Sequence, residues 1–245
     1  MNQPLSVIAI VVATFFVAGV VKGVTGMGLP TVAMGVLGAL LSPVSAAALL
    51  LIPSFITNVW QLASGPALKP LVIRLWPMMT TIIIGAVAGS AVIARGDARH
   101  TTLALGAALI VYAAYTLLAR PLRVAAGTER YLSPLIGAVT GVATGATGVF
   151  VIPAVPYIQA LDLERDELVQ ALGLSFTVST VALAVGLAWH GALPAADLAM
   201  SGLALVPALI GMSVGQAIRK RISPRVFRRG FLVCLFLLGM QMVIG

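Results

Sequence analysis

The chain has 245 residues, of which 60% are apolar and only 9% are charged, and its formal net charge at pH 7 is +8. This composition excludes an ordinary soluble domain, in which about a quarter of the residues are charged. The basic residues stand in short gaps between apolar stretches, so the positive charge does not indicate nucleic-acid binding. The composition predicts an all-α, polytopic transmembrane protein, because a helix needs about 20 apolar residues to cross a bilayer.

Apolar segments follow one another along the chain, five before and five after a basic gap. The first five lie at about 5–22, 23–41, 46–63, 71–94 and 101–118. The second five lie at about 132–144, 146–161, 168–189, 198–218 and 230–245. We therefore divide one integral membrane domain into an N-terminal repeat (1–118), a cytoplasmic linker (119–131) and a C-terminal repeat (132–245).

The same glycine-rich motif opens each half of the chain. The first copy, GVVKGVTGMGLP, contains Gly19, Gly23, Gly26 and Gly28, and the second, GAVTGVATGATGVFVIP, contains Gly137, Gly141, Gly145 and Gly148. Further along, residues 54–65 align without gaps with 175–186, and residues 85–92 align with 211–218. Internal duplication of this kind is typical of membrane transporters with a pseudo-symmetric site.

An odd number of segments per repeat predicts that the second repeat inserts upside down relative to the first. Charge supports this parity, because one side of the membrane then collects most of the basic residues and is predicted to be the cytoplasm. That side carries Lys69, Arg74, Arg120, Arg123, Arg130, Arg165, Arg219, Lys220, Arg221, Arg225, Arg228 and Arg229. Both termini are then outside, and we expect the protein in a bacterial inner membrane.

The segments 132–144 and 146–161 are short for full crossings, which predicts a helical hairpin that turns near the midplane at the glycines. A turn of this kind exposes backbone amides that bind anions. The glycines that come with nearby threonines and prolines favour this interpretation: Gly26, Gly28, Gly145 and Gly148, with Thr25, Thr144 and Thr147. Close helix packing is the alternative, and we prefer it for Gly85, Gly89, Gly211 and Gly215.

Lys22 is the charged side chain inside a glycine motif. An unpaired ammonium near the bilayer centre is costly, so an anion would be a natural partner for it. The alternative is that Lys22 extends its amine to the membrane surface. Two polar pairs at helical spacing, Ser54 with Asn58 and Ser175 with Ser179, superpose in the repeat alignment and either contact the substrate or hydrogen-bond between helices.

The acidic residues all fall in gaps or at segment ends. This distribution disfavours a cation pathway and favours an anion pathway lined by amides and hydroxyls. No Walker A sequence is present, and neither of the two histidines lies within an apolar segment, where it could activate a serine. We therefore predict a secondary transporter without a cofactor or metal rather than an enzyme, with an intramembrane enzyme or a non-transporting scaffold as the alternatives.

On the doubled glycine-rich motif with a following proline, the whole chain resembles the sulfite exporter TauE/SafE family of membrane transporters. The resemblance implies transport of small anions such as sulfite, sulfonates (sulfoacetate among them) and related organosulfur or carboxylate compounds. It leaves open a proton or a sodium ion as the coupling ion and a homodimer as the assembly. The predicted substrate-binding residues are Lys22, Gly23, Thr25, Gly26, Gly28, Ser54, Asn58, Thr144, Gly145, Thr147, Gly148, Ser175 and Ser179.

Overall fold

A computed structural model describes residues 5–118, 123–219, 221 and 223–244. These residues form helices and no strand, which confirms the all-α prediction. The helices are α1 (Leu5–Thr25), α2 (Leu29–Leu40), α3 (Pro43–Ala63), α4 (Leu68–Arg95), α5 (Ala98–Leu118), α6 (Ala126–Thr147), α7 (Ala154–Gln159), α8 (Arg165–Trp189), α9 (Ala195–Arg219) and α10 (Pro224–Ile244). Residues 119–122 of the predicted linker lie outside the described residues, as do Arg120 and Lys220.

Within the part of the chain that the structure describes, seven helices are long and apolar enough to cross a membrane, namely α1, α3, α4, α5, α8, α9 and α10. Their outward faces are apolar: Ile84 is 69% exposed and Leu203 is 64% exposed. A soluble protein does not maintain such a surface, whereas lipid chains cover it without cost. The protein is therefore a multi-pass membrane protein, as predicted, with three long apolar helices after each glycine motif.

The helices pack in pairs that match between the two halves. α1 packs along α9 and α6 packs along α4, while α3 contacts α8 and α5 contacts α10. The two halves can be matched helix by helix: α1 with α6, α3 with α8, α4 with α9 and α5 with α10. Under this matching the α1–α9 contact corresponds to the α6–α4 contact, and the α3–α8 and α5–α10 contacts each correspond to themselves. This pattern is what two related repeats produce, and their inverted orientation stays a prediction.

Glycines bring the backbones of α1 and α9, and of α4 and α6, into direct contact. A Cβ at Gly23 would overlap the carbonyl of Met212 and lie 2.9 Å from the amide of Gln216. A Cβ at Gly145 would overlap the carbonyl of Ala86 and lie 2.6 Å from the amide of Ser90. Since residues 86 and 90 align with 212 and 216, Gly145 is the counterpart of Gly23. If the glycines of the two motifs are matched in order, Gly141 corresponds to Gly23. In the structure, however, Gly141 lies one helical turn before Gly145.

The turn of the second motif lies at Gly148 and not at Gly145. Gly26 and Gly148 follow α1 and α6 with φ of 79° and 70°, a left-handed conformation that glycine adopts without strain. Their amides donate to the carbonyls of Lys22 and Thr144, each at 2.7 Å. The expectation that Gly145 is part of an unwound turn is therefore wrong, because Gly145 is helical and packs against α4.

α6 is also longer than the predicted segment 132–144, since it begins at Ala126 and has 22 residues. Its first turns are polar, and Glu129 there accepts two hydrogen bonds from Arg74 of α4, at 2.7 and 2.8 Å. This bidentate pair stabilises a helical extension that hydropathy alone does not register. The following helix, α7, has only 6 residues, fewer than the predicted segment 146–161.

A proline and a serine set the contact between α3 and α9. Pro53 lies inside α3 and has no amide hydrogen to donate to the carbonyl of Leu49. The hydroxyl of Ser201 donates to that carbonyl at 2.7 Å and accepts from the amide of Ile52 at 3.1 Å. In an apolar environment a free carbonyl is costly, so this contact holds α3 against α9.

Candidate functional site

A pocket of about 510 Å³ lies where the C-terminal ends of α1, α3 and α9 meet the beginning of α8. Trp60, Ser64 and Arg219 are exposed and form its mouth, whereas Lys22 is 4% exposed. The pocket therefore runs from a cationic, polar mouth to a buried amine. Its lining consists of Lys22, Gly23, Gly26, Thr57, Trp60, Gln61, Ser64, Val169, Met212, Gln216 and Arg219.

The Lys22 amine contacts neutral groups of α3. Its Nζ donates to Thr57 Oγ1 at 3.0 Å and to Asn58 Oδ1. No carboxylate of the described residues lies within ion-pair distance of this nitrogen. Burial without a counter-ion is expensive for an ammonium, so the site favours a negatively charged ligand. The amine is turned inward onto α3, and the alternative of a lysine that extends to the membrane surface is not what the structure shows.

Thr57 faces Lys22 as a hydrogen-bond acceptor. The Thr57 hydroxyl donates its own hydrogen to the carbonyl of Pro53 at 2.7 Å, one turn back along α3. A hydroxyl has one hydrogen, so only its lone pairs remain for the amine. The helix backbone thereby orients the threonine towards the lysine.

Asn58 also faces Lys22 as an acceptor. Its Nδ2 donates to Thr180 Oγ1 at 3.4 Å, and Thr180 donates in turn to the carbonyl of Phe176 at 2.7 Å. Because the Thr180 hydrogen is already committed, the Asn58 amide group must supply the hydrogen between them, and its oxygen turns to the lysine. The Lys22 amine therefore has two acceptors and no donor among its protein partners.

Two glutamines join α3 to α8 at the mouth of the pocket. Gln61 donates to the carbonyl of Val169 at 2.9 Å, and both residues line the pocket. Gln170 is 1% exposed and donates to the carbonyls of Leu62 and Gly65 at 2.7 and 2.9 Å. The bonds of Gln170 satisfy a carbonyl in the last turn of α3 and one just after it, and together with the bond of Gln61 they join α3 to α8.

The structure brings part of the predicted site of the first repeat together. Lys22, Gly23 and Gly26 line the pocket, and Asn58 contacts Lys22. Thr25 stays in the turn, where its hydroxyl lies 2.8 Å from the carbonyl of Val21. The remaining two do not line the pocket: Gly28 precedes α2 with φ of 99°, and Ser54 is fully buried.

None of the predicted residues of the second repeat lines this pocket: Thr144, Gly145, Thr147, Gly148, Ser175 and Ser179. The Thr144 and Thr147 hydroxyls donate to carbonyls of α6 one turn back, both at 2.7 Å. The hydroxyls of Ser175 and Ser179 are fully buried and have no hydrogen-bond partner, as is also true of Ser54. Whether any of them contacts substrate stays a prediction.

Sequence reasoning missed the wall that α9 contributes, formed by Met212, Gln216 and Arg219. A signal for it was present, because Gly211 and Gly215 are the close-packing glycines of the second repeat. Such glycines press the residues beside them against the partner helix, which here is the helix that carries Lys22. We had assigned these glycines to packing alone.

The family model for the sulfite exporter TauE/SafE family matches residues 11–242, nearly the whole chain. No curated protein and no solved structure matches the chain significantly. The matched range begins within α1 and ends within α10, so it contains both glycine motifs and every residue of the pocket. The chain belongs to the sulfite exporter TauE/SafE family of membrane transporters.

Proposed function

We propose that this protein moves a small sulfur-containing or organic anion across the bacterial inner membrane, and that Lys22 binds this anion. Family membership indicates a transporter for sulfur anions rather than an enzyme. The observation that carries the rest is the buried Lys22 amine at the inner end of an open pocket, held by two neutral acceptors. An oxyanion in the pocket would supply the negative charge that the protein does not.

The other pocket residues suit an anion that has an organic part. Gln61 and Gln216 offer side-chain amide groups, while Trp60, Met212 and Val169 offer apolar surface. With about 510 Å³ the pocket has room for a sulfonate or carboxylate as well as for sulfite. We therefore include organosulfonates such as sulfoacetate among the substrates.

The charge distribution assigns a direction to the pocket. Its mouth lies at Ser64 and Arg219, next to the basic gaps that the positive-inside rule places in the cytoplasm. In this topology the structure is open to the cytoplasm, and both termini are outside. Alternating access requires a second state in which the inverted arrangement of the repeats opens Lys22 to the other side.

Transport by proteoliposomes that contain the purified protein tests this proposal. Uptake of sulfite, sulfoacetate and a simple carboxylate is measured for the parent, Lys22→Ala and Lys22→Arg, with Lys69→Ala as a control for an exposed lysine. We expect Lys22→Ala to lose at least 100-fold in affinity for the transported anion, and Lys69→Ala to behave like the parent. Parent-like binding and transport by Lys22→Ala would show that the lysine is not the anion site, and absence of flux for the whole panel would favour a scaffold.

A further inference from the structure

We infer that the carrier takes up one proton together with each anion, and that the Lys22 amine is the site of this proton. The inference rests on the proposed function and deepens it, because it names the coupling ion of the same site. It comes from the number and direction of the hydrogen bonds at Lys22 and not from the family.

The protein provides Lys22 with as many acceptors as a neutral amine has hydrogens. Thr57 Oγ1 and Asn58 Oδ1 each accept one hydrogen, and neither can donate one back, because their own donors go to Pro53 and Thr180. A neutral –NH₂ group is thus fully satisfied as a donor. An –NH₃⁺ group has a third hydrogen, for which the described residues offer no acceptor.

Among the described residues, none with a negative charge lines the pocket, so nothing in the empty pocket compensates an ammonium. α2 and α3 contain no ionisable side chain, and α1 contains none besides Lys22. From α9, Arg219 shares the pocket, and as a cation it is no counter-ion for an ammonium. The ionisable residues of α8 nearest in sequence to Val169 are Asp166 and Glu167, and those of α10 include Arg228; none of them lines the pocket.

An anion in the pocket supplies both things that an ammonium lacks there, a third hydrogen-bond acceptor and a negative charge. It accepts the third hydrogen of the ammonium, and its negative charge compensates the positive charge of Lys22. The step is a proton transfer from hydronium in the surrounding water to the lone pair of Nζ. An N–H bond forms, an O–H bond of hydronium breaks and neutral water remains, so that the amine becomes an ammonium paired with the anion. No bond to carbon or sulfur is made or broken. When the anion leaves on the other side, the ammonium loses its partner and releases the proton there.

Calorimetry in two buffers with different ionisation enthalpies tests the inference on the reconstituted protein. The probe is sulfoacetate at neutral pH, where both of its acidic groups are ionised. For the parent we expect a binding enthalpy that changes with the buffer by an amount equal to uptake of about one proton per anion. For Lys22→Arg we expect binding whose enthalpy is the same in both buffers, because a guanidinium is always protonated.

The outcomes separate this inference from the proposed function. If the parent binds sulfoacetate with a buffer-independent enthalpy while Lys22→Ala does not bind it, Lys22 is the anion site but does not carry a proton. If Lys22→Ala binds as tightly as the parent, the anion site itself is wrong and the proton site with it. Transport offers a second measurement: a proton gradient imposed without a membrane potential should accelerate uptake by the parent but not by Lys22→Arg.

Discussion

The two halves of the chain share their packing and differ in their chemistry. Gly23 and Gly145 make the same close contact with the matching helix of the other half, and Gly26 and Gly148 end the two helices in the same way. One turn before these terminal glycines, the first half has Lys22 and the second has Thr144. In the first half the side chain reaches α3, and in the second it bonds back to its own helix.

The residues of α3 that hold Lys22 also differ from the residues at the matching positions of α8. The gapless alignment of 54–65 with 175–186 matches Thr57 with Val178 and Asn58 with Ser179. The second half thus lacks both the lysine and the acceptors that hold it. Glycines are needed at both helix crossings, because both crossings bring backbones together. The duplicated glycines therefore build the same helix crossing in both halves, whereas the buried lysine and its two acceptors belong to the first half.

The largest effect is expected where the two halves are alike. Gly23→Val and Gly145→Val each place a Cβ on a backbone carbonyl of the matching helix, and we expect each to lower stability by about 4 kcal/mol or more. Folded yield by size-exclusion chromatography is the measurement, with Gly202→Val in α9, which has open space, as the control. Normal yield for either variant would contradict the close crossing.

An intermediate effect on stability is expected when a lysine is also placed at the matching position of the second half. Thr144→Lys buries an ammonium where Val178 and Ser179 replace the two acceptors, and we expect a loss of about 3 kcal/mol in stability. Adding Val178→Thr and Ser179→Asn should recover part of that loss, because it reproduces the first half. Thermal unfolding in detergent measures both variants. A Thr144→Lys protein that is as stable as the parent would show that acceptors are not what distinguishes the halves.

The smallest effect is expected from a single acceptor. Thr57→Val puts into α3 the residue that α8 has at the matching position, and it leaves Lys22 with Asn58 alone. We expect about 1 kcal/mol less stability and about fivefold weaker sulfoacetate binding, since the amine is less well oriented. Thr57→Ser keeps the hydroxyl and should bind like the parent. Calorimetry compares the two, and parent-like binding by Thr57→Val would mean that the threonine hydroxyl does not orient the amine.

Hydropathy was sufficient to predict which parts of the chain form long helices, because a helix that faces lipid must be apolar along most of its length. It failed at both helices of the second motif. α6 begins with polar residues whose helical state depends on the pair between Arg74 and Glu129, and that pair joins residues far apart in the chain. Similarly, the sequence does not distinguish Gly145 from Gly148. Only the tertiary structure shows that Gly145 packs against α4 and that Gly148 forms the turn.

By itself, the sequence determined the membrane class, the duplication and the family, since composition, repeated spacing and motif are properties of the chain alone. It also indicated Lys22 as a candidate site residue, but it left open whether the amine is buried as an anion site or extends to the membrane surface. Only the tertiary structure decided between them, because the depth of an amine depends on which helix lies against it. α3 turns Thr57 and Asn58 towards Lys22, and α9 closes the other wall of the pocket. The chemistry of the site is thus a property of three helices in contact, which no one of them shows alone.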